Sequence, residues 1–258
     1  MAERASLSPS RFPSSAFRDF KKKNARAEFE SDVMKNIIPV LCGDANIPNQ
    51  QNILFTELDA ITNNNAVKPK PDFFDGALLQ ELSRSIRDDP DLRRLIIPTK
   101  HRGVPVAPNF FLEIKGPDGN TAAAQRKACY DGAYGARAMH ALQNHGRTYP
   151  VYDGNAYTFS STYHASTGAL QLYAHHVTAP TTEGGRPEYH MTQLRSFGIT
   201  DTCETFVEGA AAFRNARLLA KRHRDAFIEA ANAMASSAEP AAAAASEDAM
   251  GTHGDAER

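Results

Sequence analysis

The sequence predicts an α/β protein: a mixed central β-sheet flanked by helices, with a long C-terminal helix. Three stretches carry that prediction. Asn109-Phe110-Phe111-Leu112-Glu113-Ile114-Lys115 is an apolar run behind Pro108, closed by Gly116-Pro117-Asp118-Gly119, the pattern of a buried strand ended by a turn. Residues 121–142 follow with helical spacing, so a strand is succeeded by a helix. Residues 156–177 then alternate as a hairpin: Tyr157, Phe159 and Tyr163 on one arm, Leu170, Leu172 and Ala174 on the other, with Ser166-Thr167-Gly168 between them.

Taken in order, residues 1–22 are rich in Ser, Pro and Arg without periodicity and read as a disordered tail. Lys21-Lys22-Lys23 reads as a solvated helix start, with a nuclear-import signal as the alternative. Residues 24–41 read as a helix with Glu30, Val33, Ile37 and Leu41 on one face and Gly43 as its stop. Residues 52–61 read as a strand, Asn63-Asn64-Asn65 as a turn, and 66–74 as the strand bearing Asp72. Asp75, three residues on, is expected on the opposite face. Residues 76–95 read as a helical insertion with Leu78, Leu82 and Ile86 in line, and 98–108 as loop. In the helix at 121–142, Gln125, Cys129, Gly132, Ala136 and Met139 form a small face that suits close approach to a sheet. Residues 190–194 read as a short strand or loop.

From about Asp201 the chain is helical, with Phe206, Gly209, Phe213, Ala216, Ala220 and Phe227 as a packing stripe. Beside them run Arg214, Arg217, Lys221 and Arg224, either a solvated face or a track for a phosphate backbone. Residues 235–258 read as a disordered Ala-rich tail. The predicted organisation is therefore one domain over residues 23–234 between two tails.

Composition narrows the function. The 258 residues carry a net charge of −1, so any nucleic-acid contact must come from a local patch rather than a basic surplus. No apolar run reaches the length of a membrane span, so no membrane partner is expected. The start of the chain lacks the apolar region of a secretory signal. Cys42, Cys129 and Cys203 are odd in number and far apart, which argues against a disulfide framework and for a reducing compartment. The expected location is intracellular, nuclear or cytoplasmic. Oligomeric state is not legible. There is no GxSxG elbow, no Walker A ending after Gly116, and no HExxH or zinc-finger spacing. His175, His176 and His190 have no spacing that marks a metal site.

The chemistry concentrates at the strand 109–115. Residues i and i+2 of a strand share a face, so Glu113 and Lys115 project together, opposite Leu112 and Ile114. Asp72 with Glu113 supplies oxygen ligands for a hard divalent cation, and Lys115 can hold and polarise an attacking water. Pro71-Asp72 followed by Glu113-Ile114-Lys115 resembles the PD-(D/E)XK signature of the restriction-endonuclease-like nucleases. Residues 29–227 also resemble a family of uncharacterised fungal proteins assigned to that superfamily. The likeness includes the stretch from Ala107 to Gly119 and Tyr189-His190-Met191-Thr192-Gln193-Leu194.

The resemblance implies a restriction-endonuclease-like core and an Mg²⁺-dependent (or Mn²⁺-dependent) nuclease hydrolysing phosphodiester bonds. Its partner would be nucleic acid, DNA ahead of RNA. Asp72 and Glu113 would hold the metal with the Ile114 carbonyl as third ligand, and Lys115 would orient the hydroxide. Glu30 stands where several branches carry a helix acid that reaches the metal, and Gln125 where several carry a Gln early in the following helix. Those branches place a Tyr four residues after the Gln; here Tyr130 comes at five. The separation of Asp72 from Glu113 is long for the signature. The alternatives are a catalytically inactive nuclease-fold module that binds nucleic acid or a protein partner, and an interaction protein that uses only the scaffold.

Overall fold

The computed structural model describes residues 12–62 and 66–250, with side chains to 237. Its elements are α1 (Ser14–Ala25), α2 (Glu30–Asn36), α3 (Ile38–Cys42), β1 (Asn49–Gln51), β2 (Phe73–Ala77), α4 (Arg84–Asp88), α5 (Pro90–Ile96), β3 (Val106–Lys115), α6 (Thr121–Gln143), β4 (Thr158–His164), β5 (Ala169–Thr178), β6 (Glu188–Gly198) and α7 (Cys203–Met250). The strands form one sheet in the order β1-β2-β3-β4-β5-β6. Neighbours are antiparallel except β3 and β4, which run parallel and are joined by the crossover helix α6. The protein is thus an α/β fold with a mixed six-stranded sheet, flanking helices and a long C-terminal helix.

Strand β3 is buried along almost its whole length, which explains its near-continuous apolar run. Phe110, Leu112 and Ile114 enter a core with Phe159, Tyr163, Leu170 and Leu172, covered by α7, α1, α2 and α3. Phe110 meets Phe213 of α7 edge-on, with ring centroids 5.2 Å apart. Phe111 turns the other way, into a cluster with Tyr134 of α6. Helix α6 approaches the sheet at two glycines. A Cβ at Gly135 would come within 2.6 Å of the Phe111 ring, and one at Gly132 within 2.1 Å of His175.

The small face of α6 is rotated from the expected one: Gly132, Ala136 and Met139 are buried, Gln125 is half-buried and Cys129 is exposed. The hairpin, its turn and the C-terminal helix form as the pattern predicts, and β6 is longer than the stretch expected at 190–194.

Several expectations are overturned. Residues 14–22 belong to α1 rather than to a disordered tail. Phe17 and Phe20 are buried against Phe206, and Phe12 stacks on the same ring at 4.4 Å. Helix α7 continues past residue 234 to Met250. The parts of both predicted tails at 1–11 and 251–258, and the turn at Asn63-Asn64-Asn65, lie outside the described residues. Residues 24–41 do not form one helix, because Pro39 sits in the first turn of α3 and divides it from α2. Residues 52–61 are not a strand. Asn52 has φ 55°, and the amides of Phe55, Glu57 and Asp59 bond to Pro69, Pro98 and Arg94 in turn, so no single partner strand exists. The insertion at 76–95 is a 3-10 turn followed by α4 and α5, broken where Asp89 caps α5 ahead of Pro90.

The arginine stripe of α7 is not a phosphate track. Arg217 and Arg224 are buried, and Arg214 donates to the carbonyls of Val40 and Leu41. Arg217 grips Asp75 through two bonds of 2.8 Å. Burial pushes the Asp75 carboxyl up while Arg217 pulls it down. The two parallel bonds are those of an ionised pair.

Candidate functional site

The last turn of β3 and the residue before β2 interlock. Asp72 stands just ahead of β2, level with Glu113 and Ile114. The Ile114 amide donates to Asp72 Oδ2 at 2.9 Å, and the Asp72 amide donates to Glu113 Oε1 at 3.1 Å. Asp72 thus spends one oxygen on the Ile114 amide, and Glu113 spends one on the Asp72 amide. Asp75 points to α7 instead, as alternation requires.

The remaining oxygens, Asp72 Oδ1 and Glu113 Oε2, meet one ammonium. Lys127 Nζ of α6 lies 3.0 Å from Asp72 Oδ1 and also contacts Glu113 Oε2. Asp131, one helical turn further along α6, is buried, and its Oδ2 has no hydrogen-bond partner among the described residues.

Burial sets the electrostatics. It pushes Glu113 up to about 7, helped by the charge of Asp72 and opposed by Asp131 and Lys127. It also raises Asp131 well above the carboxylate range, with Glu113 adding to the effect. Burial works against the charge on Lys127, yet Glu113 and Asp72 carry its pKa upward. The cluster therefore holds a firmly charged lysine beside two buried carboxyls, Glu113 and Asp131, both raised above the ordinary carboxylate range.

Lys115 shares the face of Glu113 but points to the rim. Its Nζ donates to Glu30 Oε1 at 2.6 Å and to the Ile114 carbonyl at 2.8 Å. Glu30, at the start of α2, reaches the site only through Lys115. Gln125 does not join the group: its Nε2 donates to Tyr173 at 3.1 Å and faces Gln171 on β5. Asp72 and Glu113 lie together with the Ile114 backbone, Lys115 turns to the rim with Glu30 behind it, and Gln125 stands apart.

Sequence reasoning missed Lys127 and Asp131. The available signal was their spacing of four on α6, in a helix that must pack directly against β3.

The oxygens at the site are carboxylate and carbonyl, the chemistry that suits Mg²⁺ or Mn²⁺, and each already meets a lysine ammonium, Lys127 for the carboxylates and Lys115 for the Ile114 carbonyl. Two carboxylate oxygens already converge on one cation position, and Asp131 Oδ2 is buried without a hydrogen-bond partner among the described residues. That position is taken by the Lys127 ammonium. Among the described residues no group of three or more His, Cys, Asp or Glu is arranged to hold a metal. The donor set fits a divalent ion in kind, in competition with Lys127. His175 bonds Ser160 at 2.7 Å, while His176 and His190 stack on one another. No helix among the described residues is long and apolar enough to cross a membrane. No family model, curated protein or solved structure matches the chain.

Proposed function

We propose that the protein is a metal-dependent phosphodiester hydrolase of the PD-(D/E)XK kind, with a restriction-endonuclease-like core, acting on nucleic acid. The observation that carries this reading is the convergence of Asp72 Oδ1 and Glu113 Oε2 on one cation position near the end of β3. In this reading Asp72, Glu113 and the Ile114 carbonyl hold Mg²⁺ or Mn²⁺, which when bound supplies Lewis-acid neutralisation of the phosphate. The interlocked amides of Asp72 and Ile114 keep the two carboxylates from swinging away. Lys115 orients the attacking water, and Glu30 anchors its ammonium. Water adds to phosphorus as the ester P–O bond breaks.

A second reading has its own observation. Lys127 neutralises both carboxylates without a metal, as expected of a nuclease-fold module that binds without turnover.

Calorimetric Mn²⁺ titration, paired with cleavage of mixed DNA and RNA substrates, separates the two. Under the hydrolase reading Glu113→Gln binds Mn²⁺ at least about tenfold more weakly, having lost a ligand charge. Lys115→Ala binds as well as the parent or better and does not cleave. Lys127→Met, freed of the competing ammonium, binds about tenfold or more tightly. A folded parent that takes up no Mn²⁺ would leave the binding module as the function. Full cleavage by Lys115→Ala would remove Lys115 from the mechanism.

A further inference from the structure

The connection between β2 and β3 encloses a groove of about 560 Å³. Arg84, Arg87, Arg93, Lys100 and Arg102 line it, with Asp88 as its one carboxylate. In a chain of net charge −1 this is a local concentration of positive charge. Arg84 pairs with Asp88; Arg87, Arg93, Lys100 and Arg102 have no ion pair among the described residues. The Arg87 Nε is buried without a hydrogen-bond acceptor. A buried guanidinium N–H with no acceptor is costly unless a ligand supplies one. Arg84 and Arg87 are three apart on α4 and so share a side, while Lys100 and Arg102 come from the segment that leads into β3.

We infer that this groove holds the sugar–phosphate backbone of nucleic acid. The guanidinium fork matches phosphate oxygens, and several cations spread along one groove suit a string of phosphates better than a single one. The groove lining holds no Phe, Tyr or Trp and only the His101 ring, so contacts to the backbone outweigh base stacking and binding is largely independent of sequence. The groove goes beyond the hydrolase reading. It lies at the start of β3, seven residues from Glu113, roughly 23 Å along the strand, and needs neither the carboxylates nor a metal.

The test is fluorescence anisotropy of the full chain with labelled oligonucleotides of two unrelated sequences, in EDTA, across a salt series. EDTA separates this result from the fate of the hydrolase reading. The parent should bind both sequences alike, with affinity falling as salt rises. Lys100→Gln/Arg102→Gln alters only exposed side chains, so it should fold as the parent does. It should lower the slope of log affinity against log salt by roughly 1.4 to 1.8, two phosphate contacts' worth. Adding Arg87→Gln should lower it further, and Lys221→Gln on α7 should leave it unchanged. Anionic vesicles and poly-glutamate serve as competitors. An unchanged slope in the double variant would overturn the assignment. So would oligonucleotide binding that either competitor abolishes at equal charge, or no oligonucleotide binding at all.

Discussion

Glu113 shows how one residue can be legible in identity and opaque in state. Its place beside Lys115 follows from strand alternation, and its partnership with Asp72 is expected from the two-part likeness of Pro71-Asp72 and Glu113-Ile114-Lys115, despite their long separation. Its protonation does not follow, because that depends first on burial and the charge of Asp72, against which Lys127 and Asp131 act from another element. The consequence is a pH dependence of stability. The folded carboxyl is raised from 4.5 to about 7. Between those values the folded protein keeps a proton that the unfolded chain has released. Stability of the metal-free protein therefore falls as pH rises from about 4.5 to about 7, and this contribution levels off above. Its ceiling is roughly 3 kcal/mol, and Asp131 acts in the same direction. Urea unfolding in EDTA across this window should show the decline in the parent and a flatter profile in Glu113→Gln. Parallel profiles for the two would mean that Glu113 does not carry the titration.

At the scale of elements, legibility followed local pattern. Strand β3, helix α6 and the β4–β5 hairpin each announce themselves by period and turn residues, because burial on a neighbouring element imposes one period along the whole segment. Residues 52–61 misled for the opposite reason: Phe55 and Leu58 are buried, but by a loop whose backbone bonds scatter over three segments. The α7 arginines misled because spacing on a helix does not reveal a partner on a strand. Arg217 reads as surface until Asp75 of β2 is placed opposite it. Both groups are sealed, so removing one strands the other. Arg217→Leu should lose about 3–5 kcal/mol of unfolding free energy, whereas Asp75→Leu/Arg217→Leu should recover most of that loss. Chemical unfolding of the two variants decides it. Equal losses would show that Arg217 stabilises through its packing on Phe73 and Phe213 rather than through the ion pair.

The extent of the whole molecule was the least legible feature. Helix α1 carries its aromatics among Ser, Arg and Lys, a composition that reads as a tail when α7 is out of view. Its stability is tertiary: Phe12, Phe17 and Phe20 all gather on Phe206, some 190 residues away in sequence. Asn24 adds a polar tie, donating to the Ala165 carbonyl at 2.8 Å and accepting from the Tyr163 hydroxyl at 2.6 Å. Because this helix closes the α7 face of the sheet, it belongs to the folding unit. A chain starting at Lys22 loses three phenylalanines and leaves the Phe206 ring exposed. Burying one such side chain is worth about 1.5–3 kcal/mol, an upper estimate for a real unfolded chain. The truncation should therefore cost several kcal/mol and lower Tm by about ten degrees or more. A chain starting at Phe12 keeps every one of these contacts and should melt near the full-length value. Phe206→Ala in the full chain should reproduce much of the larger loss, since it removes the ring on which all three meet. Coincident melting of the Lys22 chain and the full chain would show that α1 adds nothing to the core and that the domain begins after it.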